Sequence, residues 1–218
     1  IQRLLEEWMK LQRTWMYLQP IFGSDDIMRQ MPTEGRRFTT VDLGYRRTLG
    51  ETEENSRVLD AAGKESLLEQ FQTANDSLDR IQKNLNDYLE TKRQAFARFF
   101  FLSNDGLLEI LSQTKDPRTV QRHLDKCFEG MNKITFRGDV TGDKSDLNII
   151  AMRSVEGEEV PLEVTVNPNA PGCKGSVETW LLQLEQSMRL TVKAFTKRAI
   201  AAYPSTKRTD WVLAHPAM

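Results

Sequence analysis

The sequence predicts a mainly α-helical protein, an elongated bundle or rod of long antiparallel helices with a small inserted β hairpin. Three observations predict it. Apolar residues recur at steps of three and four from the N-terminus to about Met131 and again beyond Ser176. No glycine or proline interrupts Lys64 to Phe101, room for a helix of roughly 50 Å at 1.5 Å per residue. Short β-prone runs are confined to the stretch between Lys133 and Gly175. Three regions follow: a helical subdomain over 1–132, a hairpin and loop region over 133–175, and a long helix with the start of a further element over 176–218.

The first helix is predicted from about Leu4 to Gln19, with Leu4, Trp8, Leu11, Trp15 and Leu18 on one face, and Pro20 as its stop. A short helix follows over Asp25–Met31 with Ser24 as cap. A third runs from Thr33 to about Leu49, after Pro32. Gly50 to Gly63 reads as a connection with at most a helical turn. Phe71, Ala74, Leu78, Ile81, Leu85 and Tyr88 then give a coiled-coil-like seam. The aromatic cluster Phe96, Phe99, Phe100 and Phe101 is expected to be buried, tying that helix to the next two.

Ser103, Asn104 and Asp105 are side chains that accept hydrogen bonds from orphan helix amides, so a helix restarts there. Asp116-Pro117 is a second start signal, a cap followed by proline at the first helical position. That helix is predicted to reach about Met131. Beyond it, Ile134-Thr135-Phe136 reads as a strand and Gly138 to Asp146 as a polar turn. Leu147–Ser154 and Glu159–Val166 flank Val155-Glu156-Gly157-Glu158 as a hairpin. After the loop Asn167–Gly175, a long helix starts at Ser176 with Trp180, Leu184, Met188, Thr191, Phe195 and Ala199 on one face, and Pro204 ends it. Trp211-Val212 opens one more element.

Composition narrows the chemistry. A net charge of −1 with 28% charged residues draws the chain to neither nucleic acid nor an anionic membrane surface. No apolar run approaches the ~18 residues of a membrane span. The N-terminus has no signal-peptide layout, so Cys127 and Cys173 are expected to be thiols in a reducing compartment. Patterned sequence at both ends predicts a segment of a longer chain.

Catalytic motifs fail one after another. The text closest to a phosphate loop, Val58 to Glu65, has Val58 in place of the leading glycine and Glu65 in place of the hydroxyl. The acidic turn Asp139–Asp143 has Lys144 where a calcium loop requires glycine and Ile150 where it requires glutamate. His123 and His215 lack ligand-spaced partners and read as surface or helix-end residues. Cys127 reads as a buried thiol, with no base to activate it. The paired basic residues, such as Arg36-Arg37 and Lys197-Arg198, are scattered over solvated faces. No catalytic, cofactor-binding or metal-ligating residue is assigned.

Longer motifs reach further. Phe99-Phe100-Phe101-Leu102-Ser103-Asn104-Asp105-Gly106-Leu107-Leu108-Glu109-Ile110-Leu111-Ser112-Gln113-Thr114-Lys115-Asp116-Pro117 resembles the signature of the dynein heavy chain linker domain. Trp15-Met16-Tyr17-Leu18-Gln19-Pro20-Ile21-Phe22, Ser154–Glu158 and Val177-Glu178-Thr179-Trp180-Leu181 resemble the same family in the same order. Leu18-Gln19-Pro20 and Gln30-Met31-Pro32 look more like the axonemal than the cytoplasmic type. Gly106 departs from the acidic residue usual there, and Gly44-Tyr45 from an aromatic-arginine pair. The resemblance marks Trp15, Pro20, Phe99, Phe100, Phe101, Ser103, Asn104, Asp105, Asp116, Pro117 and Trp180 as family signature residues.

The resemblance implies a lever that bends and straightens over a ring of six AAA+ modules. That ring would hold ATP and magnesium, so the segment itself would carry no cofactor. Its implied partner is the ring of the same heavy chain. Intermediate and light chains and microtubules would be reached through other regions, in the axoneme of a cilium or flagellum. The competing reading is a static helical scaffold or coiled-coil interaction module.

Overall fold

The computed structural model describes residues 1–64, 66–114 and 116–215. Glu65 of the phosphate-loop comparison, Lys115 of the long signature and residues 216–218 of the last predicted region lie outside them. The fold is mainly α with one small antiparallel sheet. It divides into two compact units, Ile1–Thr91 and Lys92–Met218.

The first unit contains α1 (Gln2–Phe22), α2 (Asp25–Gln30), α3 (Pro32–Glu54), α4 (Val58–Ala62) and most of α5 (Leu67–Ala95). Side-chain pairs set the helix directions. Glu7 and Lys10 of α1 meet Asn75 and Asp79 of α5 in the same order, so these helices are parallel. Trp8 meets Tyr45 and Phe22 stacks on Phe38, so α3 runs opposite to α1. Glu34 of α3 accepts from Asn84 of α5. The core sets Leu4, Leu11 and Leu18 of the predicted α1 face, joined by Phe22, against Phe38, Tyr45, Phe71, Leu78, Ile81, Leu85 and Leu89, while Trp8 and Trp15 of that face are half-buried.

Several helix boundaries differ from those predicted. Pro20 does not end α1, which continues to Phe22. Proline's fixed φ suits a helix, Pro20 sits exposed in the last turn, and burying Phe22 outweighs one missing amide bond. α3 runs through Gly50 to Glu54, which reduces the predicted connection to Asn55–Arg57, α4 and a turn. A mid-helix glycine costs only about 1 kcal/mol, and Lys64 holds Glu51 at 2.5 Å across the turn. α5 stops at Ala95 rather than Phe101: Phe96 is extended (φ −135°, ψ 98°) and Ala97–Phe101 form a 3-10 helix. The break lets Phe96 and Phe99 enter one core edge-on, with centroids 5.0 Å apart. Phe100 and Phe101 are left 57% and 72% exposed, so the aromatic cluster is buried only in part.

In the second unit α6 (Asn104–Ser112) begins where predicted. The segment after Asp116 is a 3-10 helix, Pro117–His123, and then the short α7 (Leu124–Cys127), rather than one α-helix to Met131. Pro117, Val120 and His123 are buried at steps of three, the 3-10 period, and Phe128 turns extended to seat its ring by Phe96.

Strands β1 (Lys133–Phe136), β2 (Ile149–Arg153) and β3 (Glu159–Val166) pair antiparallel in that order, so the predicted hairpin gains a third strand. The polar turn between β1 and β2 opens with α8 (Arg137–Thr141), closed by Gly142 at φ +83°. Helix α9 (Val177–Ala202) packs on β3 through Ser187 and Thr191, and also buries Val177, Trp180, Leu181 and Leu184. A 3-10 turn at Tyr203–Ser205 and α10 (Arg208–Ala214) follow.

Candidate functional surface

The signature residues serve local architecture. Ser103 caps α6, its hydroxyl accepting the Gly106 amide at 3.2 Å. Asn104 accepts from Arg93 at 2.7 Å, which fastens the last turn of α5 to the start of α6. Asp105 is exposed in the first turn, where its charge complements the helix dipole. Asp116 accepts the Arg118 amide at 3.0 Å, and Pro117 is buried at the first position of its helix. Phe99 and Trp180 are core residues.

Trp15 and Pro20 belong to the first unit. Trp15 is half-buried, donates to Asp42 at 2.8 Å and carries Arg46 5.2 Å above its ring.

Charged groups are tied into the second unit's framework. Lys92 and Glu178 pair at 2.5 Å with side chains only 17% and 12% exposed. Arg98 donates to the Cys127 carbonyl at 3.1 Å and lies 4.8 Å over the Phe128 ring. Burial pushes the Cys127 thiol up to about 11, although Arg98 acts against it. Cys127 and Cys173 are both free and buried. His123 is buried rather than at the surface, its Nε2 3.3 Å from Glu109. The glycine at 106 faces it: a Cβ there would lie 3.7 Å from Nδ1, in ordinary contact.

The loops of the sheet are acidic, and several of their carboxylates are held by neighbouring groups. Arg153 beside Glu159, helped by the Thr135 hydroxyl, lowers that carboxyl below its usual range. Hydrogen bonds from the Ser145 hydroxyl and amide lower Asp143. Among the described residues no group of three or more His, Cys, Asp or Glu is placed to hold a metal ion. Among the same residues no helix is long and apolar enough to cross a membrane. Val58 to Lys64 is α4 and its closing turn.

Grooves also mark the surface of the described residues. One of about 440 Å³ runs between α3 and α5 along Gly44, Thr48, Phe71 and Ala74. Another, about 320 Å³, lies in the second unit among Met131, Met152, Met188 and Glu158. Nothing in the spacing of these methionines along the sequence joins them into a groove.

A helix-rich module that presents faces and grooves, with a small sheet under its last long helix, is what these features define. Residues 1–199 match the model of the family described as dynein heavy chain, N-terminal region 2, and the chain belongs to the dynein heavy chain family. Dynein axonemal heavy chain 1 of Rattus norvegicus is 46% identical over 215 residues, covering 99% of this chain and 4% of that protein. Dynein axonemal heavy chain 12 of Homo sapiens is 48% identical over 216 residues, covering 99% of this chain and 7% of that protein. Dynein axonemal heavy chain 3 of Mus musculus is 47% identical over 216 residues, covering 99% and 5% respectively. The chain thus spans only 4 to 7% of the length of the curated relatives it matches, and the similarity is to the axonemal type.

Proposed function

We propose that this segment is the mechanical linker of an axonemal dynein heavy chain. It bends and straightens over an AAA+ ring and so couples ATP hydrolysis elsewhere in the chain to movement along microtubules in a cilium or flagellum. In this reading the segment is non-catalytic, ATP and magnesium are held by the ring, and intermediate or light chains and microtubules are engaged by other regions. Neither nucleic acid nor membrane is a partner.

One observation supports the reading: the chain divides into two compact units, Ile1–Thr91 and Lys92–Met218, and the boundary between them falls within helix α5. Its residues to Thr91 belong to the first unit. Its last turn is anchored in the second by Lys92 on Glu178 and Arg93 on Asn104. A lever needs stiff bodies and a short place where bending concentrates, and element ends are where hinges form.

The test is a full heavy chain in which a cross-link or a proline near the end of α5 locks this segment. ATP turnover by the ring should continue while microtubule gliding stops. Charge reversal in the acidic loops at Gly138–Asp146 and Gly157–Glu159 should alter gliding velocity without unfolding the segment, since exposed pairs are worth only about 0–1 kcal/mol each. Normal gliding by a locked motor would leave the static-scaffold reading in its place.

A further inference from the structure

The second unit holds a feature its own fold does not use. Between α9, the β2–β3 hairpin and the turn after α7 lies the groove of about 320 Å³. Met131, Met152 and Met188 line it, with Val160 and Val192 beside them. Methionine-lined surfaces re-pack readily around an incoming aliphatic chain.

Glu158 stands in the same groove. Its backbone is fully engaged: its amide donates to the Ser154 hydroxyl at 3.2 Å and its carbonyl accepts the Ser154 amide at 2.9 Å. Its side chain is not, since Oε1 is buried with no hydrogen-bond partner. Arg153 lines the groove too but is committed to Glu159 at 2.6 Å. Glu129 adds a second carboxylate. A buried carboxylate oxygen without a donor is unfavourable until one is supplied.

We propose that this groove docks an arginine side chain from a part of the same heavy chain outside these 218 residues. The guanidinium pairs with Glu158, and its methylene stem lies on the methionine thioethers. Arginine fits because its planar fork engages a carboxylate through two donors and its stem tolerates apolar surroundings. The groove's size argues for a tethered source. One side chain in about 320 Å³ is far smaller than a free-standing protein interface. Such a contact is populated only when a tether raises the local concentration, and more than nine-tenths of the relatives' length lies beyond the matched region. The inference rests on the reading above that this segment makes releasable contacts within a longer heavy chain.

The test places a photo-reactive p-benzoyl-phenylalanine at Val192, a position of the groove that is 45% exposed, in the full heavy chain. Digestion and mass spectrometry should recover a cross-link to an arginine-bearing peptide of the same chain. Glu158→Gln should lower its yield about tenfold, the scale of losing one charge-assisted pair. Glu158→Lys should abolish it, and Glu at the captured arginine should restore it, a rescue that a merely unfolded variant would not give. A cross-link to a different polypeptide, a yield unchanged by Glu158→Gln, or no cross-link above that at exposed Val140 would overturn the proposal. Capture needs no ATP turnover and no movement, whereas the locked-lever experiment leaves the groove untouched, so the two readings fail separately.

Discussion

The Thr191 hydroxyl on α9 accepts the Glu163 amide of β3 at 3.0 Å. The register between β2 and β3 shifts between Ile149 and Ala151, which leaves part of β3 off the ladder. Helix α9 completes it: Ser187 donates to the Val164 carbonyl at 2.5 Å, and Thr191 itself donates to the Ser187 carbonyl at 2.8 Å. Thr191→Val keeps the shape but leaves the part-buried Glu163 amide without its acceptor. It should cost about 1–3 kcal/mol in urea unfolding, with faster hydrogen exchange at the Glu163 amide.

Adjacent phenylalanines should behave oppositely. Phe99 is 0% exposed, and Phe99→Ala should lose about 3–5 kcal/mol of stability. Phe100 is 57% exposed, and Phe100→Ala should stay within about 0.5 kcal/mol. Denaturation midpoints of the two variants side by side decide it; equal losses would contradict the break in the helix at Phe96.

Gly138 is sterically required. A Cβ there would overlap the carbonyl oxygens of Asp143 and Asp146, both backbone atoms that cannot swing away. Its amide also donates to the Asp146 carbonyl at 3.0 Å. Gly138→Ala should therefore open the β1–β2 connection and destabilise the protein by more than about 1 kcal/mol, while Gly142→Asn, at a left-handed position, should be mild. Thermal unfolding of both variants reads the contrast.

Cys127 makes a pH prediction whose sign is fixed by burial. Its thiol is raised from 9.0 to about 11, so the folded state holds this proton more tightly than the unfolded one. The stability that this contributes is whole below pH 9 and is lost as pH rises towards 11. Iodoacetamide at pH 8 should leave Cys127 unmodified in the native protein and alkylate it in urea. Ready alkylation of the folded chain would contradict the buried, neutral thiol.

Where the long helices lie, where several of them begin, and where the hairpin turns were all legible in the sequence alone. Period, caps and turn residues are local signals: Ser103 and Asp116-Pro117 mark starts that the structure keeps. The family signature is local text as well, and so was legible without coordinates. Only the tertiary structure decided that α1 passes through Pro20, that α3 reaches Glu54, that α5 stops at Ala95, and that His123 turns inward. The methionine groove at Glu158 was equally invisible, because its residues come from segments far apart in the chain. The reason is one of magnitude. Local preferences other than proline's differ by no more than about 1 kcal/mol per residue, while enclosing one phenylalanine or leucine contributes about 1.5–3, so where the two disagree at these boundaries packing prevails.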